Sequence, residues 1–513
     1  MPPGSPQATQ SAQCEPPTQF TDYDGGFPQD VHRPVNHHHR PHALVIGAGL
    51  AGLAAADSLV RHAGMGERQV TVVDPSGRVG GVLGTVHHDG WLVERSADCF
   101  LAARPEAVDL VGRLGLDHEL IGVEPLARRA LIWHAGRGIP APTGFRLMAP
   151  GRITGVLTTP LLSPAGRLRL LWERFVPPSR PAAAADDESL EHFAVRRLGR
   201  EAFERLVQPL ASGIWTADPA QLSMAAACPD FLAMEREAGS LWAGERGRLR
   251  SQAGASTAAG ARYGQFATLA SGMETLPRRL ADELRQCGVR FVTGTATSLA
   301  TSADGRWRLM GEGIDEATAL ADEVVIATPA AAAARLIVGV DAGLSAELAG
   351  IDYAGSCIVS LGFARDRVAH PLDAAGMVIP RRTGRGILAV SFSSSKFPGR
   401  APPGCVLLRV FLGGALDPGV LHLSDDAIVA RARFEVEHLL GARGDPKLTR
   451  VERWDHAMPQ YHVGHVARVA RIDAAVARHP GLALAGAAYT GVGIPQVIAS
   501  GQRAATRCLQ RTC

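Results

Sequence analysis

A glycine-rich turn near the start of the sequence has the residue types that bind a dinucleotide. Residues 47–52 read Gly-Ala-Gly-Leu-Ala-Gly, after an apolar run at 43–46 and before a helix-like run at 53–61. In this pattern the first glycine permits a tight turn, the second lets a pyrophosphate approach the backbone, and the third lets the helix pack on its strand. The start of the helix adds partial positive charge for a phosphate. The predicted cofactor residues of this turn are Gly47, Ala48, Gly49, Leu50, Ala51 and Gly52.

A carboxylate at the end of the next apolar run is placed to hold a ribose. The run at 70–73 predicts a second strand, and an aspartate follows it 22 residues after Gly52, as the dinucleotide fold requires. The sequence Pro-Ser-Gly-Arg-Val-Gly-Gly then adds a cation and glycines beside a diphosphate that the first turn already binds, which favours FAD over NAD. The predicted cofactor residues of this segment are Asp74, Pro75, Arg78, Gly81 and Val82.

The order of the elements that position these residues indicates an α/β (α+β) protein. Strand, glycine turn, helix and strand in succession predict a Rossmann-like FAD-binding domain, and strand-like runs between 355 and 411 predict a sheet-based substrate domain. Apolar patches punctuated by proline indicate an inserted helical unit, and the polar stretch 239–263 is predicted to be a mobile loop. The predicted division is a disordered N-terminal extension at 1–41, the FAD-binding domain at 42–101, 265–330 and 465–513, the helical unit at 102–220, and the substrate-binding domain at 221–264 and 331–464.

Composition and charge argue against several classes of protein. Over 513 residues, 53 Lys and Arg balance 50 Asp and Glu, so no bulk positive field attracts nucleic acid. The 8 cysteines contain no C-x-x-C pair and never cluster with histidine, which predicts a reducing compartment and no metal site. Residues 1–41 lack the apolar core of a signal peptide, and no apolar run is long enough to span a membrane. We therefore expect a cytoplasmic protein.

Further motifs carry a family resemblance that extends over nearly the whole chain from residue 43. They include Gln-Pro-Leu-Ala-Ser-Gly-Ile-Trp-Thr-Ala-Asp-Pro at 208–219, Pro-Gln-Tyr at 459–461 with Gly-His at 464–465, and Gly-Val-Gly-Ile-Pro at 491–495. With the glycine turns, they resemble the bacterial type of oxygen-dependent protoporphyrinogen and coproporphyrinogen III oxidases, within the amine-oxidase-like flavoprotein superfamily. The resemblance implies an FAD cofactor and the six-electron oxidation of a porphyrinogen, with hydride passing to flavin N5 and molecular oxygen reoxidising the flavin. It implies no catalytic side chain, and His465 is interpreted as a structural histidine.

The resemblance also implies which residues contact the flavin. Ala296 is expected near the adenine, although a larger aliphatic residue is usual there. The family commonly has Gly-Pro-Asp where this chain has Ser-Ala-Asp at 96–98, and Asp98 is carried over as a cofactor residue despite its changed neighbours. The residues expected beside the flavin ring are Trp454, Val492, Gly493 and Ile494.

Several residues are candidates for contact with the substrate. Phe392 matches the aromatic residue that stacks on a pyrrole in the resembled family, although a phenyl ring there is equally a normal sheet-core residue, and Val378 is a second candidate. The arginine that pairs with a propionate in plant-type members corresponds to Arg128, Arg129 or neither, and Arg104 is an alternative. The remaining cations considered for propionates are Arg381, Arg382 and Lys396.

The choice of substrate and partners stays open at this stage. The lack of an organelle-targeting signature favours coproporphyrinogen III, with protoporphyrinogen IX as the alternative and a flavin amine oxidase or carotenoid desaturase as a more distant one. Molecular oxygen is the expected second substrate, and a ferrochelatase is a candidate recipient of the product. The apolar residues of 145–162, interleaved with arginines, either lie peripherally on a membrane surface or pack inward. The oligomeric state is not specified by the sequence.

Overall fold

A computed structural model describes residues 40–62, 68–179, 187–255 and 266–510, so almost all of the predicted N-terminal extension lies outside the described residues. In chain order the strands are β1 (His42–Ile46), β2 (Gln69–Asp74), β3 (Thr85–His88), β4 (Trp91–Glu94), β5 (Phe100–Leu101), β6 (Leu120–Gly122), β7 (Ala130–His134), β8 (Arg137–Pro140), β9 (Phe145–Arg146), β10 (Ala149–Pro150), β11 (Phe266–Leu269), β12 (Arg290–Thr293), β13 (Thr295–Thr301), β14 (Trp307–Glu312), β15 (Leu320–Ala321), β16 (Glu323–Ile326), β17 (Tyr353–Ala364), β18 (Gly376–Val378), β19 (Ala389–Phe392), β20 (Cys405–Gly413), β21 (Leu448–Pro459) and β22 (Leu482–Leu484). The helices are α1 (Leu50–His62), α2 (Pro105–Arg113), α3 (Ile153–Thr158), α4 (Pro164–Leu171), α5 (Leu190–Leu198), α6 (Arg200–Ala202), α7 (Gln208–Trp215), α8 (Met224–Ala227), α9 (Pro229–Ala238), α10 (Leu241–Ala255), α11 (Thr275–Gln286), α12 (Glu316–Ala319), α13 (Ala330–Ile337), α14 (Ala342–Ala349), α15 (Ser393–Lys396), α16 (Asp425–Leu440), α17 (His465–Val476), α18 (Ala487–Thr490) and α19 (Ile494–Leu509).

A five-stranded parallel sheet in the order β12-β2-β1-β16-β22 carries the first glycine turn. Every residue of β1 is buried, as expected for a central parallel strand covered on both faces. The helix α1 follows the carboxyl end of β1 and packs against α19. A Cβ atom on Gly501 would lie only 2.2 Å from the carbonyl oxygen of Ala51, which shows how closely these two helices approach. The predicted α/β fold is confirmed, and the sheet holds the turn at its carboxyl edge.

A second sheet has seven strands in the order β21-β17-β20-β19-β18-β7-β8. One face packs against α16 through a core that includes Val359, Val410 and Ile428. On the opposite face, alternate residues of the three central strands are only half-buried. These residues are Gly376, Val378, Ala389, Ser391 and Phe411. Because central strands of a sheet are normally covered on both faces, this alternation indicates a cavity above the middle of the sheet.

A helical unit packs against one end of the second sheet. Its core combines Phe193, Leu206 and Trp242 with Ile132 of β7. The sequence predicts β7 and β8 inside this unit, whereas both strands pair with the second sheet. The helices α9 and α10, assigned by sequence to the substrate domain, contribute to the core of the helical unit instead. None of the helices in the described ranges is both long and apolar enough to cross a membrane.

The helix α10 occupies much of the stretch that was predicted to be a loop at 239–263. The Ser240 hydroxyl accepts a hydrogen bond from the backbone N–H of Ala243 at 3.0 Å, and the buried Glu173 carboxylate accepts one from Leu241 at 2.9 Å. Leu241 and Trp242 are buried. The Gly- and Ala-rich composition suggested a loop because it lacks strong helix periodicity, and tertiary packing stabilises the helix instead. The remainder of that prediction, 256–263, lies outside the described residues.

Candidate cofactor and substrate site

The three glycines of the first turn meet different surroundings. Gly47 has a φ of 111°, and a Cβ atom there would lie 2.7 Å from the carbonyl oxygen of Ala327. A Cβ atom on Gly52 would lie 1.9 Å from the carbonyl oxygen of Gly47, so the turn itself excludes a side chain. At Gly49 the nearest atom to such a Cβ is the Cα of Gly81, at 4.0 Å. The protein therefore leaves open space in front of Gly49, where the sequence predicts a diphosphate.

Asp74 joins the two glycine turns. One oxygen of its carboxylate accepts a hydrogen bond from the backbone N–H of Ala48 at 2.8 Å, and the other accepts from Ser76. The N–H of Gly80 returns to the carbonyl of Ala48 at 2.9 Å. The Arg78 guanidinium donates to carbonyl oxygens of the second turn, including that of Leu83 at 3.1 Å. The structure thus brings the two predicted cofactor segments, 47–52 and 74–82, together in one place.

A segment at 95–98 extends this place towards the second sheet. The Ser96 hydroxyl donates to the carbonyl of Val82 at 2.6 Å, and the indole N–H of Trp454 donates to the carbonyl of Arg95 at 2.8 Å. The Arg95 guanidinium also lies over the Trp454 ring, 5.6 Å from its centroid. These contacts place Trp454 of β21 close to the second glycine turn, which fits its predicted position against a flavin.

Asp98 belongs to a buried group of charges at this junction. Its carboxylate lies 2.8 Å from the Lys396 ammonium and 3.3 Å from the Arg409 guanidinium. Burial alone would raise the pKa of Asp98, but these two cations outweigh burial and hold that pKa well below its usual range. Arg409 also donates to the carbonyl of Ser96. Asp98 therefore anchors the 96–98 segment to the two cations of the second sheet region. Lys396, considered above for propionates, already pairs with Asp98.

The C-terminal turn that contains the predicted flavin contacts is held by the Pro-Gln-Tyr and Gly-His motifs. The Tyr461 hydroxyl accepts a hydrogen bond from the N–H of Gly491 at 2.9 Å and donates to the carbonyl of Ala487. The His465 ring stacks on Tyr461 with centroids 4.2 Å apart, and its Nε2 lies 3.2 Å from the carbonyl oxygen of Tyr489. Burial lowers the pKa of His465 and so favours the neutral imidazole. The structure supports a structural role for His465.

The remaining predicted cofactor residues lie at the edges of this site. Val492 and Gly493 lead into α19, whose first residue, Ile494, is 7% exposed. Ala296 lies in β13 beside a register shift and packs against the core that contains Val73. The N–H of Gly294, two residues before Ala296, donates to the carbonyl of Asp74 at 3.2 Å, which brings Ala296 near the predicted ribose end of the site. Segments 47–52, 74–82, 96–98, 454 and 492–494 would hold FAD, and the open glycine cradle fits its diphosphate.

Phe392 occupies a different position from the one that its family match suggested. The side chain is 0% exposed and packs in the core between the second sheet and α16, with its ring 5.4 Å from that of His370. The alternative interpretation as a sheet-core residue is therefore the one that the structure supports. Phe411, on the neighbouring strand β20, is half-buried on the open face and was missed because strand alternation cannot be assigned to a face from sequence alone. Val378 lies on that open face as well.

The arginines considered for propionates are scattered. Arg129 is exposed and forms an ion pair with Asp373, and Arg128 donates to the carbonyl of Val123 at 3.1 Å. Arg104 is exposed at the N-terminus of α2. Arg381 and Arg382 follow β18 and line clefts between the sheet and the helical unit. Apart from Arg381 and Arg382, which line one cleft together, the structure does not bring these cations into one site.

A row of polar groups crosses the second sheet beside the open face. Ser360, Arg409 and Ser391 pair laterally on β17, β20 and β19. Ser360 Oγ, Arg409 Nε and Ser391 Oγ are buried, and no residue of the described chain gives them a hydrogen bond. Because buried polar atoms nearly always find partners, this row is suited to contact a ligand above the sheet. No local pattern in the sequence indicates this row, since the three residues are far apart along the chain.

Comparisons with known proteins identify the family of this chain. The flavin containing amine oxidoreductase family matches residues 50–509. A coproporphyrinogen III oxidase of Bacillus subtilis is 32% identical over 92% of this chain and 98% of its own length, and a chloroplastic protoporphyrinogen oxidase of Spinacia oleracea is 28% identical over 89% of this chain and 82% of its own length. A crystal structure from Exiguobacterium sp. 255-15 has a TM-score of 0.78 and 27% identity, covering 92% of this chain and all of the other. The chain therefore belongs to the flavin containing amine oxidoreductase family, with FAD as its cofactor.

Proposed function

We propose that the protein oxidises coproporphyrinogen III to coproporphyrin III with molecular oxygen. The observation that carries the proposal is the open face of the second sheet, where Val378, Ala389 and Phe411 form an apolar and aromatic surface. This surface lies on the same side of the sheet as Trp454, which contacts the segment beside the second glycine turn. The pyrrole rings of a tetrapyrrole macrocycle fit such a surface. The name of the Bacillus subtilis relative favours coproporphyrinogen III over protoporphyrinogen IX.

The chemistry of this reaction makes few demands on side chains. Bound FAD would supply a two-electron acceptor for each of about three rounds, and aromatisation of the macrocycle would drive the reaction. The protein binds and orients the macrocycle, and the helical unit covers one end of the sheet against water. His465 lies under Tyr461 and hydrogen-bonds the backbone, so it is not available to move a substrate proton. Solvent would receive the pyrrole protons.

The test is oxidation of coproporphyrinogen III and protoporphyrinogen IX side by side by FAD-loaded protein, with porphyrin fluorescence and peroxide both measured. We expect faster oxidation of coproporphyrinogen III, with about three peroxides per porphyrin. A preference for protoporphyrinogen IX would establish the alternative activity on the same fold. If neither substrate yields a porphyrin, the proposal is refuted. The amine oxidase and carotenoid desaturase alternatives would then be tested next.

We further propose a peripheral membrane contact through a patch on the helical unit. Of the apolar residues in 145–162, Met148, Val156, Leu161 and Leu162 pack inward. The exposed apolar residues of the patch are Ile153, Leu157, Leu168, Trp172 and Phe175. The rings of Trp172 and Phe175 lie 5.2 Å apart, and Arg152 and Arg174 are exposed nearby in sequence, so the patch combines apolar and cationic groups. Delivery of the product to a ferrochelatase stays a prediction.

Flotation with phosphatidylglycerol vesicles tests the membrane contact. Wild-type protein is expected to float with these vesicles and less with phosphatidylcholine vesicles, because the arginines attract anionic lipid. The double variant Trp172→Ser/Phe175→Ser is expected to stay in solution. Leu126→Ser is the matched control, since Leu126 is 82% exposed outside the patch. Equal flotation of all three proteins would contradict the proposal.

A further inference from the structure

A cleft between the second sheet and the helical unit carries two cations that the cofactor site does not use. Its volume is about 300 Å³, and its lining includes Ile132, Trp133 and Leu161 on the apolar side and Arg205 and Arg382 on the charged side. The cleft therefore combines apolar lining residues with positive charge, which suits a carboxylate attached to an apolar molecule.

The charges of this cleft are incompletely neutralised. The Arg382 guanidinium has no hydrogen bond or ion pair with any residue in the described part of the chain. Arg205 lies 2.6 Å from the Glu201 carboxylate and donates to the carbonyl of Leu161 at 2.9 Å, but its buried Nε has no partner among the described residues. Burial, followed by the positive charges of Arg205 and Arg382, lowers the pKa of the neighbouring His134. The Glu201 carboxylate interacts electrostatically with both arginines, so this one carboxylate faces two cations.

The cleft lies at the end of an apolar row on the open face of the second sheet. Strand register places Phe411 beside Ala389, Ala389 beside Val378, and Val378 beside Ile132. Ile132 is also part of the lining of the cleft. Because neighbouring strands are about 4.8 Å apart, the three strand intervals from Phe411 to Ile132 span about 14 Å. The buried Ile132 lies under the helical unit, so the row places the two arginines beyond the edge of the proposed macrocycle site, on the same side of the sheet.

We infer that Arg205 and Arg382 bind a propionate of the substrate and select a macrocycle with four carboxylates over one with two. The inference rests on the proposed function. Coproporphyrinogen III carries a propionate on each of its rings, so it presents a carboxylate to the cleft in every orientation. Protoporphyrinogen IX carries both propionates on one side and presents an uncharged substituent to the cleft when that side is turned away. The cleft is therefore a specificity site, separate from the groups that hold FAD.

The experiment compares Arg382→Ala with Arg381→Ala as matched control. Both arginines are exposed and neighbouring, but only Arg382 lines this cleft. For the FAD-loaded Arg382→Ala enzyme we expect kcat/KM for coproporphyrinogen III to fall about tenfold, mainly through KM, because a charge-assisted hydrogen bond is lost. We expect kcat/KM for protoporphyrinogen IX to change less than about twofold, and Arg381→Ala to resemble wild type. Arg205→Gln is expected to act in the same direction as Arg382→Ala.

A binding measurement keeps the inference testable without turnover. Coproporphyrin III and mesoporphyrin IX, which carry four and two carboxylates, are titrated into each FAD-loaded protein while porphyrin fluorescence is followed. Arg382→Ala is expected to weaken the binding of coproporphyrin III about tenfold and that of mesoporphyrin IX far less. If wild type oxidises neither porphyrinogen, the proposed function fails, and the titration still decides the inference. Only the inference is overturned if wild type prefers coproporphyrinogen III while Arg382→Ala leaves two ratios unchanged: that of kcat/KM for the two porphyrinogens and that of the affinities for the two porphyrins.

Discussion

At the scale of single residues, the glycines of the first turn have two different roles. Two of them are required for the backbone to pack, and the third leaves room for the cofactor. Gly47 and Gly52 exclude a side chain because backbone carbonyl oxygens, that of Ala327 at Gly47 and that of Gly47 at Gly52, occupy the space. Gly49 faces open space instead, with the Cα of Gly81 4.0 Å from the position of a Cβ. A methyl group at Gly49 therefore costs the protein little and obstructs a diphosphate directly.

We predict that Gly49→Ala folds with a thermal midpoint close to that of wild-type apoprotein but binds FAD at least about tenfold more weakly, because its methyl group fills the cradle. FAD affinity is measured by quenching of flavin fluorescence, and the midpoint by circular dichroism. Gly339→Ala is the control, because no atom lies within 4 Å of its added Cβ and the residue is remote from the turn in sequence. A large loss of apoprotein stability in Gly49→Ala would contradict this explanation.

At the scale of elements, the start of α19 depends on a hydroxyl from a distant strand end. The Tyr461 hydroxyl links the carbonyl of Ala487 with the N–H of Gly491, which has a φ of 138°. These two bonds close the turn around α18 immediately before the predicted flavin contacts at 492–494. The hydroxyl therefore positions the turn, although it does not itself contact the flavin.

Tyr461→Phe is expected to destabilise the protein by about 1–3 kcal/mol, since it removes two hydrogen bonds to partly buried backbone groups. We also expect weaker FAD binding and a shifted flavin absorption spectrum, because the turn loses its anchor. Tyr489→Phe is the matched control: its hydroxyl is buried and has no hydrogen-bond partner among the described residues, so its removal should be nearly neutral. Unfolding in urea and FAD titration provide the measurements, and equal effects of the two variants would refute the assignment.

A second element-scale prediction concerns the N-terminus of α14. The Asp341 side chain accepts a hydrogen bond from the N–H of Leu344 at 2.8 Å and pairs with His479 and Arg478. The hydrogen bond from His479, then that N–H and Arg478, lower the pKa of Asp341 to about 2. Since the unfolded pKa is about 3.9, the charge stabilises the fold above about pH 4 and loses this effect as pH falls towards 2.

Asp341→Asn tests this pH dependence, because asparagine keeps the cap but not the charge. The difference in unfolding free energy between wild type and Asp341→Asn is expected to be largest above about pH 4 and to shrink as pH falls below it. Urea titrations at several pH values measure that difference. Asp366→Asn, outside any helix cap, serves as the control. A difference that stays constant with pH would show that the charge does not contribute.

At the scale of the whole molecule, the buried charges around Asp98 join the cofactor region to the second sheet. Asp98 precedes β5, whereas Lys396 ends α15 and Arg409 lies in β20. Lys396 is one of only two lysines in a chain that otherwise uses arginine. A second buried pair, Glu94 and Arg400, lies 3.9 Å apart at the same junction. Since isolated buried charges are costly, each partner depends on the other.

We predict that Lys396→Met destabilises the protein by roughly 3–5 kcal/mol, because it leaves the Asp98 carboxylate with one fewer cation. The double variant Lys396→Met/Asp98→Asn is expected to cost less than the sum of the two single variants, since it removes both charges together. Lys447→Met, at the other, exposed lysine, provides the control. Urea unfolding of the FAD-loaded proteins yields the coupling energy, and additive effects would argue against a coupled pair.

The sequence by itself determined the fold class, the cofactor and the first glycine turn. These features depend on local chemistry: the spacing of three glycines, the apolar run before them and the carboxylate after the next strand follow from neighbouring residues. The Pro-Gln-Tyr and Gly-His motifs were also recognisable in the sequence, although their role in holding the turn before α19 was not. That role depends on the contact between Tyr461 and Gly491, 30 residues apart.

Only the tertiary structure decided which face each strand presents and where each charge finds a partner. Phe392 and Phe411 are both phenylalanines in strands, and register alone places one in the core and the other on the open face. Likewise Lys396 pairs with Asp98 across 298 residues, whereas Arg382 is left beside a cleft with Arg205. Such pairings depend on long-range packing, which no local spacing encodes, so the substrate side of the site could not be derived from the sequence.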